Sequence, residues 1–137
     1  MTDAAKSDSR IAIIDGSNVA HSTEGDVVRL ENIRLVAAKL VEEGYEPVIV
    51  ADAALRHQID DKAAFEQMVD DGRIRQAPAG TDADYFILSF ARELAAVVVS
   101  NDRFKDRLEA FPEARDHVVR YMIVNDEVVF ERRTSRR

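Results

Sequence analysis

The sequence contains no cysteine and no tryptophan, only three prolines and five glycines, and no long apolar run. Without cysteine there are no disulfides, no thiolate nucleophile and no cysteine-ligated zinc, and a reducing, cytoplasmic compartment is expected. No segment approaches the roughly 20 apolar residues that span a bilayer, so no membrane partner is expected. Residues 1–10 are polar and lack the apolar stretch of a signal peptide, which argues against export. No G-x-G-x-x-G follows the first apolar run, which disfavours a dinucleotide-binding domain. His57 and His117 have no partner at a recognisable metal spacing and read as structural, and His21 reads as an exposed loop residue near the first motif.

What is present suits one soluble domain. The 137 residues are enough for a single core, and 46% hydrophobic with 33% charged residues is an ordinary globular composition. The formal net charge of −7 opposes a polyanionic partner, since non-specific nucleic-acid affinity comes from cations meeting phosphates. The distribution softens this, because Arg132, Arg133, Arg136 and Arg137 crowd the C-terminus. An acidic body with a basic tail can hold RNA if bound metal ions neutralise several carboxylates.

Along the chain, residues 1–9 read as a disordered leader, 10–131 as the folded domain and 132–137 as a basic tail. Ile11 to Ile14 is a buried strand stopped by Asp15-Gly16-Ser17-Asn18. A helix is predicted over 27–43, with Asp26 as its N-cap and Gly44 as its stop. Pro47 to Ala51 is a second strand ending at Asp52, followed by a helix over 60–71 closed by Gly72. A brief strand at 74–77 leads to Thr81-Asp82-Ala83-Asp84, which opens a helix with Phe86, Ile87, Phe90 and Leu94 facing inward. Ala96 to Val99 is another buried strand, stopped by Ser100-Asn101-Asp102 at the start of a short helix. Val118 to Val124 and Glu127 to Glu131 suggest a hairpin around the weak turn pair Asn125-Asp126. Unbroken Val/Ile/Ala strands alternating with helices imply a mainly parallel sheet covered on both faces.

Such a sheet binds ligands beyond the carboxyl ends of its strands. Asp15 and Asp102 follow strands there, Asp82 and Asp84 open a helix there, and Asp106 is one helical turn beyond Asp102. Close carboxylates raise one another's pKa unless a cation stands between them, and hard oxygen donors without histidine or thiolate suit Mg²⁺ or Mn²⁺. A metal-held water and a phosphodiester substrate follow from that chemistry. Each aspartate alone is as well explained as a turn or cap residue; three segments converging on one sheet edge are harder to explain that way. Arg73 and Arg75 flank the third strand, and Arg103, Lys105 and Arg107 surround the second acidic motif. All five are candidate phosphate contacts or ordinary solvated charges. Ser17 reads as a turn or metal-shell residue, since no histidine or lysine is evidently placed to activate it. Tyr85 and Phe104 could stack on bases or serve packing.

Ile13-Ile14-Asp15-Gly16-Ser17-Asn18-Val19-Ala20, followed by Val98-Val99-Ser100-Asn101-Asp102-Arg103-Phe104-Lys105-Asp106, resembles the Zc3h12a-like (Regnase/MCPIP) NYN ribonucleases of the PIN-like superfamily. Tyr121 to Asp126 is similar to that family's last strand and turn, so the resemblance runs from about Arg10 to Glu131. It implies a PIN-like three-layer α/β/α sandwich with a C-terminal hairpin, cutting RNA internally with Mg²⁺. By position, Asp15 and Asp102 would be the principal metal residues, Asp84 and Asp106 would complete the site, and Asn18 would orient it or the scissile phosphate. Ser17, Arg73, Arg75, Arg103 and Lys105 are candidate substrate contacts on their own placement, apart from the resemblance. One departure stands out: the family tends to open this helix with two adjacent acids, and here Ala83 takes the place of one. Asp82 either substitutes for it or caps the helix. The zinc-finger RNA-binding part of the animal relatives has no counterpart without cysteine. Two other readings remain: a PIN-type toxin of a toxin–antitoxin pair, and an RNA-binding or regulatory module without catalysis. A phospho-acceptor receiver fits less well, lacking the paired acids after the first strand and the late lysine. The oligomeric state is left open, a homodimer included.

Overall fold

The computed structural model describes residues 10–23 and 25–131, so the leader and tail expected at the two ends lie outside the described residues. Strand β1 (Arg10–Asp15) runs directly into a one-turn helix, α1 (Gly16–Ala20), where the sequence reads as a turn. Helix α2 (Leu30–Glu42) begins three residues later than expected and without a cap from Asp26. Instead the carboxylate of Asp60, distant in sequence, accepts the Leu30 N–H at 3.0 Å, which satisfies an orphan donor of the first turn. Then come β2 (Tyr45–Ala51), α3 (Lys62–Asp70), β3 (Ile74–Gln76), α4 (Ala83–Leu94) and β4 (Val97–Val99).

The five-stranded sheet has the order β3-β2-β1-β4-β5, every pairing parallel, with β5 at Val118–Val119. Its strands alternate between two cores, as a sheet buried on both faces requires. Ala12, Ile14, Ile49, Ala51 and Val99 pack with α1, α2 and α3, while Ile13, Val50 and Val98 pack with α4 and residues 104–118. The result is a three-layer α/β/α sandwich. Order reverses at β1, whose neighbours are β2 and β4, so the switch-point crevice opens where β1 and β4 end. Gly16 sits at that point because a Cβ there would lie 2.8 Å from the Val50 carbonyl oxygen of β2. Among the described residues no helix is long and apolar enough to cross a membrane.

Three expectations are corrected. The fully buried stripe of α4 is Ile87, Leu88 and Ala91, while Phe86, Phe90 and Leu94 pack against the same core but stay part-buried. Residues 118–124 are not one hairpin strand. Val118 and Val119 take the open edge of β4, and only β6 (Tyr121–Val124) pairs antiparallel with β7 (Glu127–Phe130), around a turn in which Asn125 and Asp126 both have positive φ. This hairpin is a separate two-stranded sheet that packs on the first core through Tyr121 and Val128. Finally, no helix starts at Ser100. Phe104 turns into left-handed backbone with φ of 53° and buries its ring, and only a single 3₁₀ turn, Lys105–Arg107, follows.

Candidate active site

Each acid reaches the crevice by a local device. Asp15 ends β1 and N-caps α1, its Oδ1 accepting the Asn18 N–H at 3.4 Å. Its Oδ2 accepts the Ser100 hydroxyl at 2.8 Å, and that same hydroxyl oxygen accepts the Asp102 N–H at 3.1 Å. The residues following β1 and β4 are thus tied side by side. Asp102 in turn takes the Phe104 N–H at 2.7 Å, which steadies the left-handed turn there. Asp84 lies in the first turn of α4. A hollow of about 320 Å³ gathers Asp15, Asp84 and Asp102 with Ser17, Asn18, His21 and Asp52.

The electrostatics follow from that convergence. Burial, opposed by the hydrogen bonds from Ser100 and Asn18 and reinforced by the charges of Asp84 and Asp102, pushes the Asp15 carboxyl from 3.8 up to about 6. Asp84 is also pushed up, by burial first and then by Asp102 and Asp82, with Asp106 adding a smaller push. Asp84 and Asp102 disfavour the charge on Asp15, and Asp102 that on Asp84, so the cluster favours a cation, and its oxygens are hard donors of the kind Mg²⁺ or Mn²⁺ prefers. Among the described residues no three such side chains meet closely enough to enclose an ion on their own. The fit to such an ion therefore rests on the donor chemistry and the charge alone.

Asn18 is held from the far end of the chain. Its Oδ1 accepts both the Tyr121 hydroxyl at 2.7 Å and the Asn101 N–H at 3.0 Å. Asn101 and Tyr121 also exchange bonds, Asn101 Nδ2 donating to the Tyr121 carbonyl at 3.1 Å and the Tyr121 N–H to Asn101 Oδ1 at 3.0 Å. Burial pushes the Tyr121 phenol up to about 12, so its proton stays in place to donate. With Oδ1 occupied, the Asn18 Nδ2 is the donor left for the hollow it lines.

Other expected residues are placed differently. Asp106 is exposed and outside the hollow, because the turn at Phe104 removes the helical face it was expected to share with Asp102. Asp82 caps α4, accepting the Asp84 and Tyr85 N–H groups at 3.0 and 3.3 Å, and forms an ion pair with Arg107. Ala83, not Asp82, lines the hollow. Ser17 is there without a hydrogen-bonding base on its hydroxyl; the nearby His21 Nδ1–H donates to the Ser17 carbonyl oxygen at 2.7 Å. Arg73 and Arg75 line a different hollow with Arg34 and Glu46; Arg73 also pairs with Asp71, and Arg75 lies over the Phe90 ring. Arg103 and Lys105 line a third hollow, which Asp102 also borders. Phe104 packs in the core, and Tyr85 stands edge-on to Phe111 at 5.1 Å. Asp52 joins the site unannounced: it follows β2, caps Leu55 N–H at 2.9 Å and lines the acidic hollow, with the same strand-end sign that singles out Asp15.

A family model described as the Zc3h12a-like ribonuclease NYN domain matches residues 8–137. No curated protein matches the chain. Two solved structures of similar fold are of the nuclear proteinaceous RNase P 2 (PRORP2) of Arabidopsis thaliana. One is 22% identical with a TM-score of 0.72, covering 88% of this chain and 29% of that one. The other is 23% identical with a TM-score of 0.71, covering 92% and 30%. The chain thus spans about three-tenths of the length of these structures.

Proposed function

The chain belongs to the Zc3h12a-like ribonuclease NYN family, and from that premise we propose that it is a divalent-metal-dependent endoribonuclease. The observation that carries this reading is the meeting of Asp15, Asp84 and Asp102, from three separate segments, in one hollow at the switch point of a parallel sheet. Asp15, Asp84 and Asp102 would hold Mg²⁺ or Mn²⁺, with Asp52 on the wall of the same hollow. When bound, the ion supplies an activated water and offsets charge on the phosphate oxygens. The chain's own part is positional. Asn18 Nδ2, its amide fixed by Tyr121 and Asn101, donates to a non-bridging phosphate oxygen. Ser100 ties the Asp15 carboxylate to the Asp102 backbone beside it, and the Asp15 carboxyl, pushed up to about 6 mainly by burial, is a charge that a nearby cation would relieve.

A second reading has one observation in its favour. Ala83 stands at the hollow where the family tends to have an acid, and Asp82 is occupied with the helix cap and Arg107. A site short of one carboxylate could bind RNA without cutting it. Labelled single-stranded and stem-loop RNA, incubated with Mg²⁺, Mn²⁺ or chelator, separates the two. Metal-dependent internal cutting that disappears in Asp102→Asn is the expected result. Retained RNA binding without cutting in either metal would favour the non-catalytic module, and equal cutting by the variant would move the active site elsewhere.

A further inference from the structure

Most lysines and arginines among the described residues are already engaged. Arg29, Arg56, Arg92 and Arg107 each pair with a carboxylate, and Arg10 and Arg75 lie over aromatic rings. Four others make no side-chain hydrogen bond or ion pair among the described residues, and they surround one hollow of about 310 Å³: Arg103 and Lys105 from the segment after β4, Arg115 from the short helix Ala114–His117, and Arg120 between β5 and β6. Two acids border this hollow, Glu131 on one side and Asp102 on the other. Asp102 also lines the acidic hollow, so the two cavities share a wall.

We propose that this cationic hollow seats an internal backbone phosphate of the RNA, next along the strand from the phosphate held at the acids. Four cations from three segments, none of them paired among the described residues, repel one another, and a phosphate between them would offset that repulsion. The acid site beside them is where a strand would be cut, and it repels RNA wherever no metal stands between. A polyanion approaching a chain of net charge −7 needs such a seat to stay in register. Arginine predominates in it, and its planar fork matches phosphate oxygens two at a time. Arg115 and Arg120 enter the substrate interface here, although neither adjoins an acidic motif in sequence.

The inference rests on the ribonuclease reading, so binding and cutting are measured apart. With the full chain, fluorescence anisotropy of a labelled single-stranded RNA in chelator, across a salt series, compares wild type, Arg115→Gln/Arg120→Gln and Arg103→Gln/Lys105→Gln. Lys62→Gln, on α3 and away from both hollows, controls for bulk charge. Thermal melts establish that each variant is folded. Both double variants are expected to weaken binding about tenfold, and to flatten the slope of log K against log salt by about 0.7, the value for one phosphate left unneutralised. Lys62→Gln should do neither. In Mg²⁺, KM should rise by a similar factor on linear and on covalently circular RNA alike. Unchanged binding and slope in folded double variants, with RNA still cut, would overturn the seat and leave the ribonuclease standing. Weakened binding with no cutting by any protein would keep the seat and remove the ribonuclease. A loss confined to 5′-phosphorylated linear RNA would replace the internal phosphate by a terminal one and overturn the proposal as stated.

Discussion

Replacing Asp15 by asparagine removes a charge that the fold resists. The carboxyl is 7% exposed, and its pKa rises from 3.8 to about 6 on folding, mainly through burial. At about 1.36 kcal/mol per pKa unit, that rise costs about 3 kcal/mol of stability at pH 7, where the carboxylate is ionised both folded and unfolded. The sign follows from proton binding. Below pH 3.8 the group is protonated in both states and costs nothing; between 3.8 and 6 only the unfolded chain ionises, and stability falls as pH rises. Asparagine avoids this cost and can still accept the Ser100 hydroxyl through Oδ1. Its amide nitrogen would then face the Asn18 N–H, forfeiting a hydrogen bond worth roughly 1 kcal/mol. The net expectation is that Asp15→Asn is more stable than wild type by roughly 2 kcal/mol at pH 7, and no more stable below pH 4. Urea unfolding followed by circular dichroism in chelator at pH 7 and pH 3.5 measures both differences. Adding Mg²⁺ at pH 7 should narrow the gap, because a ligand of the native state stabilises only the chain that binds it. A variant less stable than wild type at pH 7, or a difference independent of pH, would refute the argument that this carboxylate is held under electrostatic strain.

Gly16→Ala would press a methyl group against the Val50 carbonyl oxygen, a rigid backbone atom 2.8 Å away, and should cost roughly 1–3 kcal/mol in the same unfolding assay. Tyr121→Phe deletes the hydroxyl that fixes the Asn18 amide; a loss of about 1 kcal/mol of positioning predicts a roughly fivefold fall in kcat with KM little changed. A rise in KM alone would assign the tyrosine to binding instead. Asp82→Ala should lower stability by about 1 kcal/mol through loss of the α4 cap while RNA cutting in Mg²⁺ persists. Abolished cutting in a folded Asp82→Ala protein would make Asp82 a ligand after all.

Much of the fold is legible in the chain because parallel strands buried on both faces need uninterrupted apolar runs, and Ile11–Ile14, Val48–Ala51 and Val97–Val99 are such runs. What escapes is decided by contacts remote in sequence. Helix α2 begins at Leu30 because Asp60 reaches its first N–H from the loop before α3, and no local residue announces that. The apolar stretch from Val118 to Val124 divides because β4 offers a free edge to its first two residues and the first core draws in Tyr121; both demands are tertiary.

The site divides along the same line. Asp15, Asp84 and Asp102 can be read locally, since an acid directly after a buried strand, or in the first turn of a helix at that sheet edge, faces the crevice wherever the strands run parallel. Asp52 carries the same sign with equal weight, since β2 lies beside β1. Asp106 fails for a physical reason. The i,i+4 argument presumes helical backbone from Asp102 onward, and Phe104 gains more by burying its ring through a left-handed turn than the segment gains by continuing a helix. Tyr121 stands in the motif that resembles the family's last strand, but its role at the site could not be read there, because its bond to Asn18 spans 103 residues and exists only once the last hairpin docks on the first core. That dependence has a consequence for folding. If the hairpin is what orients Asn18, a chain truncated after Val119 would keep its five-stranded sheet and its aspartates in place, yet lose the hydrogen-bond donor aimed at the phosphate. Circular dichroism near wild type together with a fall in kcat as large as that of Asn18→Ala is the outcome this reasoning requires. Cutting at the full rate by a folded truncation would show that the acids alone suffice.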